Sequence, residues 1–123
     1  PEKTYGKSRI DFYYEKENSK VYMEVKGVTL IEGNVARFPD APTERGIKHI
    51  EHLIELSQQG YETYIMFVIQ CKCSEVFEPN YVTHKEFGDA LKKARELGVN
   101  IVAYDCIVTE DSLQLDKPVR VNI

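Results

Sequence analysis

The stretch Tyr61-Glu-Thr-Tyr-Ile-Met-Phe-Val-Ile-Gln70 decides the fold. It is β-branched, aromatic and almost continuously apolar, and its centre, Tyr64 to Ile69, is the longest apolar run of the chain. That run is strand-sized, far short of the ~20 residues a membrane helix needs. A strand without polar alternation is covered on both faces, so helices must pack on its sheet. Helix signals stand on either side of it. Upstream, Thr43 reads as an N-cap with Glu44 in the first turn, and Ile47, Ile50, Leu53, Ile54 and Leu56 recur at helical spacing until Gly60 stops them. Downstream, Thr83-His84-Lys85-Glu86 reads as a capping box. Phe87, Ala90, Leu91, Ala94 and Leu97 follow with helical period, and Gly98 ends them. Val99 to Tyr104 is a second buried strand, running on to Val108. This β-α-β unit predicts a parallel, right-handed crossover.

Toward the N-terminus the pattern changes to period two. Residues 9–14 (Arg-Ile-Asp-Phe-Tyr-Tyr) and 21–26 (Val-Tyr-Met-Glu-Val-Lys) alternate polar and apolar, with a turn-prone stretch between them. They predict an antiparallel hairpin. A third short strand spans Val28 to Ile31, residues 33–42 and 71–82 are loops, the second loop or irregular strand, and the tail from Thr109 is weakly β-like. The fold class is therefore α/β, a mixed sheet with flanking helices in the order β-β-β-α-β-α-β. The chain has 123 residues, with 42% hydrophobic and 29% charged residues, which suits one folded domain and excludes a disordered or collagen-like one. No signal or transit segment opens it. Opening on Pro1, it reads as a fragment of a longer protein.

The hairpin carries the chemistry. Folding it about residues 17–18 pairs position i with 35 − i, which sets Asp11 opposite Glu24 and Arg9 opposite Lys26. Ile10, Phe12, Tyr14, Val21, Met23 and Val25 share the other face and read as core. Opposed carboxylates repel, and a hard divalent cation such as Mg²⁺ or Mn²⁺ at Asp11 and Glu24 would compensate. Lys26 could then orient or deprotonate a bound water or stabilise a phosphorane-like transition state, giving Asp11, Glu24 and Lys26 as the catalytic candidates. The same charges also describe a plain surface ion network. Arg45, Lys48 and His49 gather near a helix N-terminus, where free N–H groups attract a phosphate; a capped, solvated first turn is the alternative. Gln70 ends the central strand, where ligand crevices of α/β sheets form. His49 and His52 lack a third metal ligand. The odd set Cys71, Cys73 and Cys106 reads as reduced thiols of a cytoplasmic protein. The net charge of −4, from 16 basic and 20 acidic residues, is not a nucleic-acid footprint and by itself favours a protein or small-molecule partner.

Three segments carry a resemblance: Ser8-Arg-Ile-Asp-Phe12, Glu24-Val-Lys-Gly-Val-Thr-Leu30 and Phe38-Pro-Asp-Ala-Pro-Thr-Glu-Arg-Gly-Ile-Lys-His49. With them the chain resembles the sugar fermentation stimulation protein A family of bacteria and archaea, over essentially its whole length. The resemblance implies a restriction-endonuclease-like domain, cytoplasmic location, DNA binding and a link to the regulation of sugar, especially maltose, metabolism. It implies a metal-dependent nuclease-like signature at Asp11, Glu24 and Lys26, and a cleft lined by the Thr43-to-His49 segment. It also implies an OB-like domain preceding this one, absent here, on which full DNA affinity depends. A DNA-binding regulator without hydrolysis, or a protein-interaction domain, are the competing readings.

Overall fold

The structure, a computed structural model, describes the backbone of residues 3–5, 8–10, 12–16 and 19–123, and side chains from Lys20 onward. Its elements are β1 (Lys3–Tyr5), β2 (Ser8–Ile10), β3 (Phe12–Lys16), β4 (Ser19–Val28), β5 (Leu30–Glu32), β6 (Val35–Phe38), α1 (Glu44–Gln58), β7 (Glu62–Ile69), β8 (Val76–Pro79), α2 (Lys85–Glu96), β9 (Asn100–Val108), β10 (Leu113–Pro118) and β11 (Arg120–Val121). The expected order of seven elements is embedded in this series. Among the described residues three sheets are formed: β1-β2, a five-stranded β10-β9-β7-β4-β3, and a four-stranded β11-β8-β6-β5.

The five-stranded sheet is mixed, as the patterns predict. β3 and β4 form the antiparallel hairpin, whereas β4, β7 and β9 run parallel. The hairpin register pairs Phe12 with Met23, Tyr13 with Tyr22 and Lys16 with Ser19, each obeying the 35 − i rule. Strand β6 was not expected, since residues 33–42 read as loop, yet Val35–Phe38 pairs with β5 on one side and β8 on the other; β8 falls in the segment read as loop or irregular strand. Pairing across the chain supplies the hydrogen bonds that these short segments cannot specify locally.

Residues paired on parallel strands share a face, so Tyr22, Glu24, Lys26 and Val28 stand beside Thr63, Ile65, Phe67 and Ile69. That face holds the core. Ile50, Leu53 and Leu56 from α1 and Phe87 and Leu91 from α2 cover it. Phe67, wholly buried, is the hub: its ring stacks on Phe77 at 4.2 Å between centroids and meets Phe38 at 5.6 Å and Phe87 at 6.4 Å. Tyr64 and Met66, on the opposite face of β7, are only half-buried, so the strand is not sealed equally on both sides. α1 begins as expected, with Thr43 as N-cap and its hydroxyl accepting from Gly46 N–H at 2.9 Å. α2 departs from the capping-box reading. His84 is its N-cap and makes no side-chain capping bond; instead its Nδ1 accepts from Thr43 N–H at 3.1 Å, tying the two helix starts together. Gly60 and Gly98 follow the helix ends at φ 93° and 100°, the left-handed region that glycine enters without a Cβ penalty.

Candidate functional site

The hairpin register was read correctly from Phe12 to Lys16, but the burial of its faces was not, and Arg9 pairs with Thr4 of β1. Met23 and Val25, expected as core, are half-buried, while Tyr22 and Glu24 on the expected polar face are only 3% and 2% exposed. The reason is where α1 lands. It crosses the Tyr22–Glu24–Lys26 face of β4, and its buried stripe brings an imidazole down onto the carboxylate. A charge that deep must be paired, and three polar groups converge there. His49 Nδ1 lies 2.7 Å from Glu24 Oε1, Lys26 Nζ lies 3.2 Å from the same oxygen, and Lys26 Nζ lies 2.9 Å from His49 Nδ1. The Lys26 side chain is 15% exposed, so the cluster has its ammonium toward the surface and its carboxylate inside.

Of the residues singled out from sequence, Glu24, Lys26 and His49 are thus brought into one cluster. His49 does not join Arg45 and Lys48 as a surface phosphate ligand. It is buried, whereas Arg45 and Lys48 are exposed on the outer side of α1. Gln70 is exposed at the end of β7, and its N–H donates to the Val28 carbonyl at 3.1 Å. Its side-chain amide lies against Gly27, where a Cβ would stand 3.1 Å from Nε2. Asp11 and the side chain of Arg9 lie outside the described residues. Among the described residues no group of three or more His, Cys, Asp and Glu gathers to hold a metal ion. The donor set that is described, one carboxylate oxygen and one imidazole nitrogen, fits part of a divalent-cation site with an oxygen ligand still to be supplied.

A second polar cluster was missed from sequence. Asp105, 6% exposed on β9, is paired in register with Ile69. Its Oδ1 accepts from Lys117 N–H at 2.8 Å and meets Lys72 Nζ at 3.3 Å, and Lys72 also holds Asp116. That contact depresses the Asp116 carboxyl below its ordinary value and raises the Lys72 ammonium above its own. The reading of three reduced thiols is corrected as well. Cys71 and Cys73 are joined in a disulfide with their Cα atoms 5.5 Å apart, within bridging range, because the loop doubles back at Lys72. Cys106 is a free, buried thiol, and burial pushes its pKa up. An open hollow of about 560 Å³ is lined by Leu30, Glu32, Arg37, Glu78, Asn80 and Tyr81 among others, and none of the Glu24 cluster borders it.

Residues 1–112 match the family model described as Sugar fermentation stimulation protein RE domain. The sugar fermentation stimulation protein homolog of Clostridium beijerinckii is 56% identical over 115 residues, which cover 94% of this chain and 51% of that protein. The homolog of Ruminiclostridium cellulolyticum is 52% identical over 122 residues, covering 99% of this chain and 54% of that one. The chain therefore spans about half the length of the curated relatives it matches. A solved structure described as SfsA of Pyrococcus furiosus in complex with Ca²⁺ superimposes with a TM-score of 0.88 at 30% identity, covering 96% of this chain and 52% of that one. No helix among the described residues is long and apolar enough to cross a membrane.

Proposed function

The chain belongs to the sugar fermentation stimulation protein family, and from that premise we propose that it is a DNA-binding, nuclease-like domain of the cytoplasm that contributes to the regulation of sugar metabolism. In this reading Asp11 and Glu24 hold a divalent cation, Mg²⁺ or Mn²⁺, with Lys26 beside them. The observation that carries it is the convergence of Glu24, Lys26 and His49 within 3.2 Å of one another on a buried strand face. The Ca²⁺ named for the Pyrococcus furiosus relative supports a divalent cation in this family's fold.

When bound, such a cation polarises a phosphoryl oxygen and makes a bound water more acidic. The chain's own residues have separate tasks. Glu24 anchors from a buried strand, so its carboxylate does not wander. Lys26, reaching toward solvent from two residues along, orients a water or offsets the charge that develops on a phosphate. Arg45 and Lys48, exposed on the first turns of α1, hold the phosphate backbone of DNA and add salt-sensitive affinity. Gln70, exposed at the end of β7, adds a polar contact to DNA. The relatives of which this chain matches about half carry a further segment, and with a net charge of −4 here that segment is expected to supply much of their grip on DNA.

Mn²⁺ titration of wild type and Glu24→Gln tests the cation site, and equal affinity in both removes it. Incubating a full-length relative with single- and double-stranded DNA and Mn²⁺ tests the chemistry. Cleavage abolished by the equivalent of Lys26→Ala supports the nuclease. Salt-sensitive binding without cleavage supports a regulator that has kept the fold, a reading favoured by the engagement of the Lys26 ammonium with both Glu24 and His49. Neither binding nor cleavage would leave a protein-interaction domain.

A further inference from the structure

Cys71 and Cys73 are bridged across a single residue, Lys72, in the loop that leaves β7. A bond this local ties no two elements together. A disulfide constrains the unfolded chain more the longer the loop it closes, so one spanning a single residue is a poor staple. Its two sulfurs stand in different surroundings. Cys71 is half-buried and packs against the hydrophobic core, whereas Cys73 is exposed. The backbone N–H of Cys73 donates to Cys71 Sγ at 3.2 Å. The Ser74 hydroxyl stands 3.7 Å from the same sulfur, and since a bridged sulfur carries no hydrogen, the hydroxyl is the donor. Both donors would stabilise a thiolate formed at Cys71. The third cysteine stands apart from this chemistry. Cys106 is buried, its thiol donates to the Ile69 carbonyl at 2.9 Å, and burial raises its pKa, so it is held as a thiol rather than an attacking thiolate.

We infer that the Cys71–Cys73 bond is a reversible redox site that exchanges with small-molecule thiols, with Cys73 as the sulfur attacked and Cys71 as the sulfur that leaves, and that its state sets how firmly Lys72 clasps β9 to β10. A thiolate of the glutathione class attacks the exposed Cys73 Sγ, the S–S bond breaks, and Cys71 leaves as a thiolate toward its two donors. A second thiolate attacks the small-molecule sulfur of the mixed disulfide and releases Cys73. Two small thiols have become one disulfide, and their two electrons and two protons now reside on the Cys71 and Cys73 thiols. The oxidised small molecule runs the same steps backward. Exposed disulfides are the labile ones, and in the cytoplasm proposed above the bonds that form are mostly redox devices. Lys72 links this bond to the sheet. Its backbone lies inside the ring that the disulfide closes, while its ammonium meets the buried Asp105 of β9 at 3.3 Å and also Asp116 of β10. Asp105 Oδ1 in turn accepts from Lys117 N–H at 2.8 Å. The β9–β10 register shifts between Leu115 and Pro118, so this clasp holds the strands where their own ladder is interrupted. Opening the ring frees the Lys72 backbone, and its conformational entropy then works against the clasp.

Glutathione is the probe. The folded chain is equilibrated over a series of reduced-to-oxidised glutathione ratios, quenched with a maleimide at low pH and digested. Trypsin cleaves after Lys72 and puts Cys71 and Cys73 on separate peptides. Expected is a passage from bridged to doubly alkylated across the series, with the trapped intermediate carrying glutathione on Cys73 and maleimide on Cys71. A bond that stays closed in reduced glutathione alone overturns the inference, because structural disulfides resist this thiol pool. Glutathione trapped on Cys71 overturns the assignment of the leaving sulfur. Amide hydrogen exchange reads the clasp, in wild type bridged and reduced and in bridged Lys72→Met. Expected are about tenfold faster exchange at Lys117 on reduction, a similar rise in Lys72→Met with the bond intact, and no change in α2. Exchange at Lys117 that reduction leaves unaltered overturns the link to the clasp. Comparing one polypeptide in its two redox states needs no variant, so the result stands even if Lys72→Met misfolds.

Discussion

Replacing Lys26 by Met tests how the buried cluster is held together. The Glu24 carboxylate is 2% exposed, and the ammonium lies 3.2 Å from its Oε1. At that separation and an effective dielectric constant near 20, the attraction is about 5 kcal/mol before desolvation is charged against it. Burying the two ions offsets most of this, so the pair contributes little net stability over an apolar pair. Breaking it is another matter. Lys26→Met takes the ammonium from a buried carboxylate and leaves His49 beside it. Loss of one member of a buried pair costs 3–5 kcal/mol when nothing substitutes, and with His49 in place about 2–3 kcal/mol is expected. The reverse change, Glu24→Leu, strands an ammonium that can reach water along its own stem, and should cost about 1–2 kcal/mol. The double variant Glu24→Leu/Lys26→Met carries no orphaned charge and should lie near wild type, so the coupling is the sum of the two single losses, roughly 3–5 kcal/mol. Urea unfolding in excess chelator measures all four corners, and for a chain of this size 2 kcal/mol corresponds to roughly 6–10 °C in Tm. A double variant whose loss is the sum of the two single losses would refute the reasoning, because the residues would then not be compensating each other.

Burial holds the His52 imidazole below its ordinary pKa of 6.5, with Glu55 pulling it partly back. Above that pH both states carry it neutral. Below it the unfolded chain takes up the proton first, so stability should fall with pH until the folded pKa is passed and then level off. Urea midpoints across this range should fall less in His52→Gln than in wild type, and an identical profile would contradict the burial argument. Thiol titration in denaturant without reductant should find one thiol, Cys106, and with reductant three; three in both cases would contradict the Cys71–Cys73 bond. Gly88 packs so closely under Tyr81 that an added Cβ would stand 2.3 Å from a ring carbon. Gly88→Ala should therefore lower stability by about 1–3 kcal/mol in thermal unfolding despite alanine's better helix propensity. A stabilised variant would show that the ring moves away at no cost.

What was legible in the sequence follows from how local each signal is. The hairpin register of Phe12 with Met23 and Tyr13 with Tyr22 could be read because a short turn and strict alternation determine it within about fifteen residues. Both helices and the parallel strands β7 and β9 were legible from hydrophobic period and from the glycines after each helix. Strand β6 was not, and β8 only as a loop or irregular strand. Val35–Phe38 follows Gly33 and Asn34 and runs into Pro39, and Val76–Pro79 ends in proline, so neither reads locally as a regular strand. They become strands by pairing with each other across 41 positions of sequence, as Val35 with Val76 shows. The identity of the buried hairpin face was lost for a related reason. Alternation shows that Glu24 and Lys26 share a face, but only the landing of α1 decides that this face is covered.

His49 is the instructive residue, because the signal for its true place was present. It sits four residues before Leu53 and seven before Leu56, on the stripe that α1 buries, whereas Arg45 and Lys48 lie to the outer side. A histidine on an apolar stripe facing a strand that carries Glu-x-Lys has to meet those charges when the helix docks. Docking it there is a poor way to stabilise a fold, since an apolar trio of the same volume would serve as well or better. If the double variant without Glu24 and Lys26 charges is as stable as wild type, the cluster is not retained for folding. Its buried carboxylate, its imidazole and its partly exposed ammonium then have to be explained by what they bind or react with, which is where the proposed function places them.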